Sequence, residues 1–411
     1  MTRHLGAAAA FLIAVGGLGL SSTLLERRAA AQAKGAVQAP RFEVDPLWPK
    51  PLPNKWILGQ TIGVSVDAQD HVWIIHRAGS LEPGEVHATT NPPTAQCCAP
   101  APPILEFDAA GNLVGHWGGP GQGYDWPDSN HGITVDYKGN VWIGGNGRGP
   151  STGSGQAPAA GAGRGQPAAG QNRQQDESQV GGVQSFNDNM VLKFTRDGKF
   201  LMQIGKPRSS KGSNDLANLR LPAKTFLDKE TNELYVADGY GNHRVIVFDA
   251  DTGAFKRTWG AFGKPPGGVD NCAIVGPKTF PEGDGPPDFN VAHAIRVAND
   301  GMVYLADREN RRLQMFSSDG KFVKQIVRTA TPFARDLAFS PDQKLLYVGG
   351  GKSIVMLDAK TLDVLGEIAV PGQIGAGHHI ATDSKGNIYI AQTTAGLQKL
   401  VFKGMAAVAA K

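Results

Sequence analysis

The chain has 411 residues, 41% of them hydrophobic, with 54 glycines and 27 prolines. That is enough for one large domain with its own core, and the glycine and proline suit many tight turns between short strands. Lys and Arg number 41 against 37 Asp and Glu, a net charge of +4, too small and too scattered to argue for a nucleic-acid or membrane-surface partner.

At the N-terminus a short basic start (Arg3, His4) precedes an apolar run from Leu5 to Leu25, and Ala31-Gln32-Ala33 forms an A-x-A site. This predicts a signal peptide over 1–33 and an exported, periplasmic or secreted protein. An uncleaved anchor is the other reading, because the run is nearly long enough to span a bilayer.

From residue 41 to 403 the chain repeats itself. Each unit has an entry residue, an alternating strand ending near Asp and a Gly-Asn or Asp-Gly turn. An apolar-aromatic strand, a β-branched strand ending in Phe, another turn and a fourth strand follow. Six copies begin at Ile62, His131, Ala223, His293, Arg335 and His378. The last recur roughly every 42 residues, the period of four-stranded propeller blades. The expected fold is therefore all-β, a six-bladed β-propeller. The sixth copy is short of a strand, and RFEVDP at 41–46 is placed to supply it and close the ring, which removes the exposed sheet edge. Residues 147–185 are Gly, Ala, Gln, Ser and Pro with almost no aliphatics, and read as a disordered low-complexity insert in blade two. The loops at 78–103 and 261–290 are also long. Of three cysteines, Cys97 and Cys98 are adjacent, and neighbours rarely bond each other. A pair between Cys272 and one of them is the expectation, with one thiol left over.

His131, His293 and His378 share one register in blades two, four and six: HGITVD at 131–136, HAIRVA at 293–298 and HHIATD at 378–383. Alternate blades of six stand about 120° apart, so the three imidazoles should converge on the axis as a tripod, which is what a metal with three histidines and one open position wants. Neutral imidazoles suit zinc best, with copper, iron or cobalt also compatible. Side-chain alternation selects His378 over His379, which should face the other way. A lone histidine before a strand is usually a loop residue; three at one register are not so explained. The ends of the second strands share this rim and bring Arg77, Arg308 and Tyr240 to it. A guanidinium there can hold a substrate carboxylate, although Arg308 has Glu309 and Asp307 beside it. A phenol beside a metal and an arginine can act as a base, or simply pack on the next blade. Asp238 with Asn242 and Arg244, and Asp307 with Asn310 and Arg312, read as structural staples of their turns.

VWIIHR (72–77), HGITVD (131–136), VADGYGNHRVIVF (236–248), VAHAIRV (291–297), LADRENRRLQMF (305–316) and GHHIATDSKGNIYI (377–390) occur in an order that resembles the peptidyl-α-hydroxyglycine α-amidating lyase family, over nearly the whole propeller. The resemblance implies an NHL-type six-bladed propeller with one zinc held by His131, His293 and His378. It also implies a catalytic Tyr240 and a substrate-binding, catalytic Arg77. The implied reaction splits a C-terminal α-hydroxyglycine into a peptide amide and glyoxylate, with a separate monooxygenase supplying the substrate. The family pattern puts an acidic calcium ligand where this chain has His379, which argues against calcium, and a cysteine where this chain has Gly241. The alternative is a non-catalytic NHL-type propeller that binds peptides or proteins in the periplasm. Fold cannot choose between them; the histidine register with Arg77 and Tyr240 favours the enzyme. A lactonase-like site would need carboxylate and Asn ligands, and none stand at these registers.

Overall fold

Aspartates close the first strand of several repeats and organise the turn that follows. One carboxylate oxygen of Asp67, Asp136 and Asp383 accepts the backbone N–H groups two and four residues on, at 2.8–3.0 Å. The other reaches the aromatic that opens the second strand: Trp73 Nε1 at 3.0 Å, Trp142 Nε1 at 2.9 Å and Tyr389 Oη at 3.0 Å. One side chain thus makes the turn and pins the next strand, which explains why Asp and an aromatic recur six residues apart.

The computed structural model describes residues 37–147, 187–267, 284–328, 333–370, 376–394 and 396–408. The expected signal over 1–33, the insert beyond Gly147 and Cys272 lie outside them. Six four-stranded sheets form. Blade one comprises Gln60–Val66, Val72–Arg77, Ile104–Phe107 and Leu113–Trp117. Blade two comprises Asn130–Val135, Val141–Gly145, Met190–Phe194 and Phe200–Gly205. Blade three is Lys224–Asp228, Glu233–Asp238, Arg244–Asp249 and Phe255–Trp259. Blade four is Ala292–Val297, Val303–Asp307, Arg312–Phe316 and Phe322–Val327. Blade five is Asp336–Phe339, Leu345–Gly350, Ser353–Asp358 and Val364–Ala369. Blade six takes His379–Thr382, Ile388–Gln392 and Gly396–Val408 from the chain's end and Val37–Val44 from its start. The first strands neighbour one another in order, and the sixth returns to the first, so the ring closes.

Chain contacts divide into two units. Residues 43–402 are the propeller body; the described parts of the other, 37–42 and 403–408, are strand. In the propeller the core lies between blades. Ile75 and Ile143 meet between blades one and two, Leu305 and Val245 between three and four, and Leu313 and Val348 between four and five. All six are fully buried, and each such residue contributes about 1.5–3 kcal/mol. Because both faces of a blade are covered, inner strands such as Asn130–Val135 and Glu233–Asp238 are buried along their whole length.

The expected cysteine pairing needs correction. Cys97 and Cys98 are bonded to each other, with Cα atoms 3.0 Å apart across a cis peptide. The rule against neighbours pairing assumes the trans geometry, which splays their side chains. The long 78–103 loop carries three short 3₁₀ turns and a parallel pairing of Trp56–Ile57 with Ala99–Pro100.

Candidate metal centre and its rim

At the register of the histidines every blade's first strand bulges. In blade two Asn130 pairs with Gly145 and Ile133 with Ile143, so His131 and Gly132 oppose a single residue. The ladder slips in the same way around Ile62 and His293. In the other three blades the N–H of Ala223, Arg335 and His378 bonds the carbonyl of the residue that also faces its successor. A bulge sets two residues against one and re-aims their side chains.

The three predicted histidines come together. Their ring centroids form a nearly equilateral triangle: 5.1 Å from His131 to His293, 4.8 Å from His131 to His378 and 4.9 Å from His293 to His378. The rings stand at 75–89° to one another. Each is oriented by the next blade. Nδ1 of His131 donates to the Ala223 carbonyl (2.7 Å), that of His293 to Arg335 (2.5 Å) and that of His378 to Ile62 (2.8 Å). A carbonyl can only accept, so each Nδ1 carries the proton and each Nε2 keeps its lone pair. The acceptors are the register-equivalent residues of blades three, five and one. Burial, and then neighbouring cationic and imidazole groups, push all three histidines well below their ordinary pKa, so they stay neutral.

His379 joins the cluster, against the expectation that it faces away. Alternation fails because the bulge lies between it and His378; the regular strand begins only at His379. Its ring stacks on His378 at 4.7 Å and lies 5.4 and 5.5 Å from His131 and His293. Both its nitrogens are buried without a partner among the described residues, and burial likewise holds it neutral. The four residues each offer a ligand atom, all within 4.8 Å of one another. Buried imidazoles with aligned lone pairs, beside one whose nitrogens are orphaned, fit a metal ion by donor chemistry: this group could hold one.

Tyr240 Oη lies 2.9 Å from His131 Nε2, 3.1 Å from His293 Nε2 and 2.7 Å from Arg308 Nη1. Its ring packs on Leu221, Ala223 and Val291, the packing that the sequence offered as one reading of this tyrosine. Gly239 lets the turn reach so far in, since a Cβ there would meet Ala292 N at 2.2 Å. Arg308 Nε also pairs with Glu309 at 2.7 Å. Arg77 is held by three neutral oxygens, those of the Asn130 backbone (3.0 Å), Gln60 (3.1 Å) and Asn146 (2.8 Å).

Beneath the tripod, sequence reasoning missed a buried ion pair of Lys224 with Asp336, whose carboxylate also accepts Ile380 N–H at 2.8 Å. Burial, and then Arg296, push the Lys224 ammonium down to about 7 against the pull of Asp336. The available signal was position: Lys224, Asp336 and His379 each follow the bulged residue. The staples stand as read. Asp238 binds Arg244 (2.9 Å) and Asn242 (2.7 Å), and Asp307 binds Arg312 (2.7 Å) and Asn310 (2.8 Å). Asp67, His71 and Glu106 also cluster, but Arg196 pairs with both carboxylates, so that group is an ion network. A surface groove lined by Met202, Leu216 and Phe255 includes none of the histidines.

Fold and site together define a six-bladed propeller with an axial histidine cluster. No family profile matches the chain. It is similar to NHL repeat-containing protein 3 of Mus musculus, 24% identical over 337 residues, covering 79% of this chain and 72% of that protein. The human protein of the same name is 26% identical over 219 residues, or 50% of this chain and 57% of that one. Peptidyl-glycine alpha-amidating monooxygenase B of Xenopus laevis is 28% identical over 198 residues, 44% of this chain but 20% of that protein. The chain thus spans only part of these relatives. Among solved structures, one described as a streptogramin B lyase overlaps 89% of this chain and 98% of that one, at 11% identity and a TM-score of 0.46.

Proposed function

We propose that the protein is a zinc-dependent lyase that cleaves a peptidyl-α-hydroxyglycine, or a similar carbinolamide, to an amide and glyoxylate. The supporting observation is the convergence of three neutral, carbonyl-oriented imidazoles beside one phenol and two guanidiniums. Bound by His131, His293 and His378, zinc would supply Lewis acidity toward the hemiaminal hydroxyl. Tyr240, with its oxygen held by Arg308, takes the hydroxyl proton. As the carbonyl forms, the C–N bond breaks with its electron pair going to nitrogen, and the Tyr240 phenol gives that nitrogen its own proton in exchange for the one it takes, leaving the amide and a restored phenol. Arg77, its plane fixed by three oxygens, binds the carboxylate that leaves in glyoxylate. His379 stands where an acid would be needed for calcium, so we assign no calcium.

The similarity to the amidating monooxygenase supports this reading, and the similarity to NHL repeat-containing protein 3 is compatible with it. Metal analysis of wild type and His131→Ala tests the centre: one zinc per chain, lost in the variant, is expected. Turnover of N-acetyl-α-hydroxyglycine, abolished in Tyr240→Phe with zinc retained, tests the chemistry. No bound metal and no turnover would instead favour a peptide-binding propeller. Export is part of the proposal, and N-terminal sequencing of protein recovered outside the cytoplasm should find it starting near Lys34.

A further inference from the structure

The residues that orient the tripod are not alike. Ile62 and Ala223 are apolar and buried, but the third, Arg335, is a half-buried cation. Its backbone is fixed at both ends: its N–H bonds Gly349 O at 2.7 Å and its carbonyl holds His293 Nδ1 at 2.5 Å. The residue therefore stands in the wall of the site, one bond network away from Tyr240. Arg308 is engaged by Glu309 and Tyr240, and Arg77 by three oxygens. The Arg335 guanidinium, among the described residues, has no hydrogen-bond or ion-pair partner. Burial and the charge of Arg308 depress its pKa, opposed by Tyr240 and Glu309, yet an arginine keeps its proton. The charges of Arg308, Arg77 and Arg335 all bear on His378. The rim thus presents guanidiniums from blades one, four and five around uncharged imidazoles. Arg77 and Arg335 sit two blades apart, at about 120° round the axis.

A partly desolvated guanidinium with no partner, in the wall of a catalytic mouth, is a receptor for an anion. We infer that Arg335 is a substrate-binding residue and that the natural substrate is a dianion. Resting on the lyase reading, the carboxylate destined for glyoxylate lies on Arg77, and a second carboxylate, carried by the acyl portion, is taken in bidentate fashion by Arg335. The other wall-forming residues at this register, Ile62 and Ala223, offer nothing to such a group. Selection should therefore come from this one side chain.

The test compares N-acetyl- and N-succinyl-α-hydroxyglycine as substrates of the zinc-loaded protein, wild type against Arg335→Gln. That change leaves the backbone carbonyl that holds His293. Wild type should prefer the succinyl compound about tenfold to a hundredfold in kcat/KM, chiefly through KM. Arg335→Gln should lose that preference, its kcat/KM for the succinyl compound falling to that for the acetyl compound, while its zinc content stays as in wild type. Equal kcat/KM for the two substrates in wild type, or a preference that survives in the variant, overturns the inference. If neither substrate is turned over, the lyase reading fails and calorimetry decides this one separately. Glutarate should bind wild type at least tenfold more tightly than butyrate, and Arg335→Gln should abolish the difference; no such difference in wild type overturns it. Should Arg335→Gln not fold, Arg335→Lys keeps the charge without the fork and should lower the preference; an unchanged preference there counts against the bidentate contact.

Discussion

Gly132 holds the tripod indirectly, and a single methyl group should show it. A Cβ at this position would stand 2.5 Å from the Ala223 carbonyl oxygen and 3.0 Å from Lys224 Cα. Ordinary contact begins at 3.4 Å, so 3.4 less 2.5 requires a retreat of about 0.9 Å. That same oxygen accepts His131 Nδ1–H at 2.7 Å. A retreat along the bond would open it to about 3.6 Å, beyond hydrogen-bonding range. Gly132→Ala should then release His131 from its orientation and weaken zinc binding about 10–100-fold. The metal-free protein should also lose about 1–3 kcal/mol, because a buried N–H is left without its acceptor. Titration of zinc against a competing chromophoric chelator reads the first effect, and urea unfolding of metal-free protein reads the second. Gly84→Ala serves as the control, since nothing lies within 4 Å of its Cβ position. Zinc affinity within twofold of wild type would refute the orienting role of the carbonyl, whatever happens to stability.

His76 gives a pH prediction. It is buried as a neutral ring, accepting Gly59 N–H at Nδ1 (3.1 Å) and donating from Nε2 to the Pro102 carbonyl (2.9 Å), and burial pushes its pKa from 6.5 down to about 4. The unfolded chain takes up this proton first, so the stabilisation is full above 6.5 and is lost as pH falls toward 4, by about 3 kcal/mol in all. His76→Gln should show a correspondingly smaller loss of unfolding free energy between pH 7 and 4.5; an equal loss would contradict the assignment. Asp238→Ala removes one half of the fully buried pair with Arg244 and should cost about 3–5 kcal/mol in urea unfolding, whereas a cost below about 1 would mean the staple is not structural. Trp142→Phe forfeits the indole bond to Asp136 and should cost about 1.5–3 kcal/mol; a neutral effect would show that Asp136 makes its turn unaided.

Much of the architecture was readable because each repeat writes its own turn and strands. Asp136, Trp142 and the glycine-bearing turn between them act within a few residues, so their spacing carries the information. The histidine tripod was readable for a related reason. Repetition converts sequence register into angular position, and His131, His293 and His378 needed only six equal blades to meet. Adjacent-residue geometry was less legible. Alternation misplaced His379, and the trans rule misplaced Cys98, because both assume a regular backbone where this chain has a bulge and a cis peptide.

What sequence alone determined, then, is periodicity: six units, their strand order and the shared position of three imidazoles. Tertiary structure decided everything that depends on one blade touching the next. Ala223, Arg335 and Ile62 became orienting acceptors through carbonyls that no side-chain pattern records. Lys224 and Asp336 met across 112 positions, and Arg335 was left half-buried without a side-chain partner among the described residues. Local hydrogen bonds span short stretches of chain and leave a trace in spacing, whereas contacts across the ring are set only when all six sheets have packed.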